Sequence, residues 1–230
     1  MSSAELDDLS DEELLAEELA LAKADKALPS EHQRAGGAPA SFALLLVVGG
    51  VIGVLASIEL VLAEIALLRD PASALSCDIN PLIGCSGSLL AWQSHLIFGI
   101  PNAIVGAVIF GMVIGVGLSL LAGARLARWL WILMSLAVLG GFVFIAWFLT
   151  QSITVFRVLC PWCMVTWVVT IPTSYAVTLH VLRTGILPAP VAVRRAAGTL
   201  MGWVPLLAVL SYAIVAVLAQ VRLDVLGSLF

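Results

Sequence analysis

Long apolar runs separated by short polar breaks dominate the chain from residue 42 onward. Five of them, 42–68, 96–121, 129–149, 160–182 and 200–221, are about as long as a bilayer is thick. The hydrocarbon core spans about 30 Å and a helix rises about 1.5 Å per residue, so roughly 20 apolar residues cross it. None of the runs alternates apolar and polar residues with the period of a strand. Backbone groups must be paired inside lipid, and a continuous apolar run pairs them as a helix. The pattern predicts an all-α membrane protein with five transmembrane helices.

Composition strengthens this reading. Of 230 residues, 61% are hydrophobic and 11% charged, with a mean hydropathy of +1.10. Ordinary soluble domains are about 25% charged, so a soluble globular enzyme is excluded. A net charge of −4 argues against nucleic acid as a partner. The charge is uneven: residues 1–41 hold ten acids and three bases, the remainder five acids and eight bases. Residues 1–41 are therefore expected to form an acidic cytoplasmic tail, within which Ser10-Asp11-Glu12-Glu13 reads as the start of a short solvated helix. Lys23, Lys26, Arg34, Arg125, Arg128, Arg183, Arg194 and Arg195 fall on one side of the membrane, against Arg69, Arg157 and Arg222 on the other. Basic flanks stay in the cytoplasm, which predicts an inner N-terminus and an outer C-terminus. The first apolar run begins only after the charged stretch 1–41 and is too long for a cleavable signal, so none is expected.

The same orientation collects all four cysteines at the outer face. Cys77 and Cys85 lie in the loop after the first span, within SCDINPLIGCSGS, and Cys160 and Cys163 form CPWC at the start of the fourth. An even count facing an oxidising compartment suggests two pairs. Three readings compete: disulfides that staple the outer loops of a transporter or receptor, a zinc site, and pairs that exchange electrons. The local sequence favours the third. With Cys160 near a helix N-cap, Pro161 falls in the first turn and free N–H groups favour a thiolate. Both sulfurs of the CPWC motif then share one helix face, and so short a loop adds little as a brace. The other pair lies in a Gly/Pro/Ser-rich loop, which suggests an accessible shuttle.

Cys77 and Cys85 in the first outer loop, an amphipathic stretch leading to FGIPNAIVG, and CPWC opening the fourth helix together resemble the bacterial vitamin K epoxide reductase family. The resemblance covers about residues 42–182 plus the fifth helix. DsbB-type quinone oxidoreductases have similar parts in the opposite order. The resemblance implies a four-helix transmembrane bundle around a quinone, with a fifth transmembrane helix. By resemblance, the activity is thiol:quinone oxidoreduction supporting disulfide bond formation in a bacterial inner membrane. The catalytic residues would be Cys77, facing a thioredoxin-fold (DsbA-like) partner, Cys85 and Cys160, exchanging with each other, and Cys163, facing menaquinone or ubiquinone. Some family members carry a fused thioredoxin-like domain. Only RLDVLGSLF follows span five, so the partner is expected to be a separate chain. The corresponding division is 1–41 tail, 42–182 catalytic bundle with outer loop 69–95, and 183–230 inner loop, fifth helix and outer C-terminus.

Reduction of a quinone takes up two protons, so polar groups near the cysteines matter. His95 stands where the family places a polar contact to a quinone carbonyl, and Trp167, one turn after Cys163, where it places an aromatic beside the ring. Phe98 and Trp162 are expected to shape the pocket. Glu59, the eighteenth residue of span one and about 26 Å along it, is a candidate proton relay, ahead of Glu64. His180, near the inner end of span four, is expected to cap or snorkel. Residues 86–94 read as a surface helix covering the pocket. Ala91 replaces the Ser or Thr usual in the family, with Ser88 or Ser94 as substitutes.

Overall fold

In a computed structural model of the chain, residues 29–72 and 74–223 are described. The acidic stretch containing Ser10 and the residues after 223 lie outside them. The described residues form eight α-helices: α1 (Glu31–Arg34), α2 (Ala40–Arg69), α3 (Ser86–Leu89), α4 (Asn102–Leu121), α5 (Arg128–Gln151), α6 (Pro161–Thr184), α7 (Val191–Met201) and α8 (Val204–Leu223). Five are long and apolar enough to span a membrane: α2, α4, α5 with its extension to Phe156, α6 and α8. No named strand occurs among the described residues, so the architecture is all-α.

The span boundaries moved where local chemistry outweighed hydropathy. Residues 96–101, apolar enough to extend the second span, form a loop instead. Phe98 and Gly99 both adopt positive φ, and Pro101 caps the start of α4. On the same side of the bundle, α5 runs on through a π-helical turn, Ser152–Phe156, and Arg157 in the left-handed region ends it. Helix α7 was not anticipated. Its basic residues lowered its hydropathy, and it packs against α6.

Helix α2 organises the bundle. Its buried residues Phe42, Leu46, Gly49, Gly53, Ser57, Leu60, Glu64 and Leu67 recur every three or four positions, one stripe along the helix. That stripe meets α4 and α6, and α5 and α8 close onto α6. The glycines admit the close approach: a Cβ on Gly53 would come within 2.4 Å of the Phe110 ring. Large apolar side chains such as Leu44, Leu55, Leu62 and Val143 point outward, as a lipid environment permits.

A second device holds the fifth span. Pro172 interrupts α6 and cannot donate to the carbonyl of Val168 one turn earlier. Tyr212 of α8 donates its hydroxyl to that carbonyl at 2.7 Å, and Tyr175 and Ser211 share a second bond at 2.9 Å. Near the C-terminal end of α6, His180 neither caps nor snorkels. It is fully buried, its ring between Phe42 at 4.9 Å and Trp131 at 4.7 Å. Trp131 in turn donates to the carbonyl of Gly36, drawing the segment after α1 onto the bundle.

Replacing Gly53 by Val is expected to force α2 and α4 apart at a cost of about 1–3 kcal/mol. The apparent melting temperature in detergent should fall clearly. Gly111→Ala, where nothing lies within 4 Å of a new Cβ, should leave it unchanged or slightly raised.

Candidate functional site

Two cysteine-bearing segments meet beside the C-terminal end of α2 and the N-terminal end of α6, held together by backbone pairing rather than by the sulfurs alone. Leu159 donates its N–H to Leu82 O at 2.8 Å, and Gly84 donates to Leu159 O at 3.1 Å. These bonds join the residues directly before Cys85 and Cys160. The Asp78 carboxylate accepts from the N–H of Cys85 at 2.7 Å and of Ser86 at 3.1 Å. Burial pushes the Asp78 carboxyl up, but those N–H groups outweigh it and hold it below its usual range. Asn80 closes the turn by accepting from Leu82 and Ile83.

Cys77 and Cys85 are joined in a disulfide, and Cys160 and Cys163 are free thiols. The Cys160 and Cys85 sulfurs lie 3.6 Å apart. Leu60, Leu67, Leu75 and Leu89 surround them, and Cys85 is 0% exposed. The expectation of an accessible pair on an open loop is therefore corrected: the loop residues and Leu75 seal this disulfide. Cys160 is the N-cap of α6, with Pro161 at the first helical position, and its sulfur accepts from the Cys163 N–H at 3.4 Å. A donated N–H at a helix start favours the thiolate.

Beside the cysteines, α2, α4, α5 and α6 line a partly open cavity of about 400 Å³. Cys163 and Trp167 line it, together with Phe144, Phe148 and Gly106, and Glu64, Ser57, Thr166 and Thr170 supply polar atoms. A mainly apolar chamber of this size with a few polar groups is the usual form of a small-molecule site. Leu89, Ser88, Ser94 and Ile97 roof it. Two short turns, α3 and the 3₁₀ turn Trp92–Ser94, replace the continuous surface helix expected there. Gln93 faces in and Trp92 out, the reverse of the amphipathic expectation. Asn102 pins the roof by donating to Gln93 O at 2.7 Å, and Ser94 donates to Ser88 O at 2.7 Å. Ser88 and Ser94 thus supply hydroxyl bonds around Ala91.

The other candidate residues divide. Glu59 is exposed, on the face of α2 opposite Ser57, Leu60 and Glu64, and does not line the cavity. Two residues along a helix rotate a side chain by about 200°, so hydropathy depth alone could not place it. Phe98 is 97% exposed and also stands outside the cavity, because the turn that ends before Pro101 directs it outward. Trp162 packs against the cysteine cluster without lining the cavity. His95 reaches the cavity only through Glu64: its Nε2 is 2.8 Å from Glu64 Oε1, and its Nδ1 is 3.1 Å from Ala91 O. The Ala91 carbonyl, and then Glu64, raise the His95 pKa above its ordinary value against the opposing effect of burial. Glu64 was ranked low on sequence, and its spacing of seven from Ser57 on one helix face was the available signal.

The profile of the vitamin K epoxide reductase family matches residues 44–178. The chain belongs to that family. It is accordingly a multi-pass membrane thiol–disulfide oxidoreductase, of a family that acts with quinones and a redox partner. No curated protein and no solved structure matches the chain. Membership displaces the competing expectation of a transporter or receptor with stapled loops.

The sulfur geometry is directly testable. In the double variant Cys77→Ser/Cys163→Ser, mild oxidation should link Cys85 to Cys160 almost completely, seen by peptide mapping under non-reducing conditions. Cys85→Ser/Cys160→Ser, which leaves Cys77 and Cys163, should form far less intramolecular disulfide.

Proposed function

We propose that this protein reoxidises a thioredoxin-fold, DsbA-like dithiol partner outside the cytoplasmic membrane and passes the electrons to a quinone within it. The observation that carries the reading is the 3.6 Å approach of Cys160 to Cys85, with Cys163 three residues further on lining an apolar cavity. One sulfur thus abuts the outer pair while its neighbour in the CPWC motif borders a chamber suited to a lipid-soluble ring. The catalytic unit is residues 42–182 with its outer loop 69–95. The N-terminus is inside, the cysteines and C-terminus outside, and residues 183–230 add the fifth span.

Each exchange step conserves electrons. A partner thiolate attacks Cys77 and displaces Cys85 as thiolate, and the partner's second thiol resolves the mixed disulfide, leaving the partner oxidised. Because Cys77 is nearly buried, this step requires displacing the loop that covers it. Cys85 then attacks Cys160 in a Cys160–Cys163 disulfide, releasing Cys163 as thiolate. Cys77 closes back onto Cys85 and frees Cys160. The pairing found here, Cys77–Cys85 joined and Cys160 and Cys163 as thiols, corresponds to the state after that transfer.

The cavity fits a quinone ring in size and in its mainly apolar lining. Trp167 offers a flat aromatic face, Glu64 a polar atom, and Cys163 the reacting sulfur. A bound quinone supplies a two-electron, two-proton acceptor that dissolves in lipid. Leu89 and Ile97 line the cavity on the side of the cysteine loop, and Trp162 packs beside Cys160 and Cys163.

In nanodiscs, Cys163→Ala supplied with a reduced thioredoxin-fold protein and a short-chain ubiquinone or menaquinone should form quinol at the background rate. Quinol formation at the wild-type rate, followed by ultraviolet absorbance, would remove Cys163 from its role.

A further inference from the structure

Glu64 and His95 form the one ion pair found among the described residues, at the wall of the cavity. Their hydrogen bonds restrict where protons can sit. The Ala91 carbonyl can only accept, so His95 Nδ1 carries a hydrogen. The 2.8 Å contact between Nε2 and Glu64 Oε1 then needs one further proton, resting on either atom. The pair thus stores one transferable proton, as imidazolium–carboxylate or as imidazole–carboxylic acid. Exposure grades across it: the His95 side chain is 22% accessible and that of Glu64 7%. One end meets outer water and the other faces the cavity.

We propose that Glu64 and His95 are the proton relay of the redox site, with Glu64 the group that donates into the cavity. This rests on the quinone-linked reading above. Two thiols become a disulfide in each turnover and release two protons, while the quinone takes up one electron pair and two protons. The relay carries those protons one at a time. The Glu64 O–H bond breaks toward the cavity, leaving a carboxylate and a neutral imidazole; His95 Nε2 then takes a proton from outer water and passes it to the carboxylate. The relay itself moves no electrons.

Few other charges face the pair. The segment 86–101 contributes only His95, and α4 contributes no titratable side chain. From α6 come the thiols of Cys160 and Cys163, and from the outer loop Asp78, bound to the N–H groups of Cys85 and Ser86. Arg69 and Asp70 follow Glu64 at the C-terminal end of α2, and neither makes an ion pair among the described residues.

The test is Glu64→Gln, which keeps the shape and a hydrogen bond but cannot carry the proton. Wild type should convert quinone with a kcat that declines as pH rises through the His95 midpoint, measured by imidazole ¹⁵N NMR on quinone-free protein. That midpoint should lie above the ordinary value of about 6.5. In E64Q the midpoint should drop, kcat should fall about 100-fold, the low end of general acid catalysis, and the His95-linked limb of the pH profile should vanish. Retention of the Cys77–Cys85 disulfide checks the fold. E64Q turning over at the wild-type rate overturns the relay. So does a loss of rate with the His95 midpoint and pH profile unmoved, which would mean that Glu64 only shapes the cavity. If E64Q does not fold, a wild-type kcat profile whose midpoint departs from that of His95 overturns it. Absence of quinol formation by wild type overturns the quinone-linked reading itself, a distinct result.

Discussion

Cys85 and Cys160 are 75 residues apart in the chain, and their sulfurs meet because α2 and α6 pack side by side and Leu159 is hydrogen-bonded between Leu82 and Gly84. The placement of the other site residues follows from that contact. It fixes Cys160 at the N-cap of α6, which sets Cys163 one turn deeper on the same helix face. That depth brings Cys163 to the cavity wall, with Trp167 a further turn down. A shift of one residue in the Leu82–Leu159 pairing would carry the two sulfurs apart and leave the cavity without a connection to the Cys77–Cys85 pair.

The membrane imposes the second constraint. Interior polar groups have no water to bond to, and the bundle answers several of these cases locally. The carbonyl freed by Pro172 is taken by Tyr212, Ser174 donates to Val138 O, and Thr173 donates back along its own helix. Glu64 is an expensive residue in such an environment unless it is paired, and His95 supplies the partner. The glycine-rich contact of α2 with α4 lets the helices approach closely, and Gly50 and Gly106 of that contact also line the chamber.

Much of this was legible in the sequence because the signals were local. Twenty-residue apolar runs identify spans, Pro161 after Cys160 marks a helix start, and the order of the two cysteine pairs points to the family. What escaped was set by direction and by long-range contact. Glu59 and Glu64 lie five residues apart on one helix, and hydropathy ranks them by depth, whereas helical rotation decides which one enters the cavity. Phe98 lies within an apolar run, but a left-handed turn before Pro101 directs it outward. The sealing of Cys77 and Cys85 depends on Leu60, Leu67, Leu75 and Leu89 arriving from separate segments, and no spacing rule announces it. The burial of His180 between Phe42 and Trp131 likewise joins three helices.

The central claim is that electrons pass in a fixed order through the Cys85–Cys160 contact. Its most direct measurement is a single-turnover time course on fully reduced protein mixed with a short-chain quinone, quenched with acid, alkylated and mapped by mass spectrometry. The account predicts that the Cys160–Cys163 disulfide forms first and that Cys77–Cys85 forms afterwards, as the first disulfide is passed outward. Formation of Cys77–Cys85 before Cys160–Cys163, or at an unchanged rate when Cys160 is replaced by Ser, would contradict it.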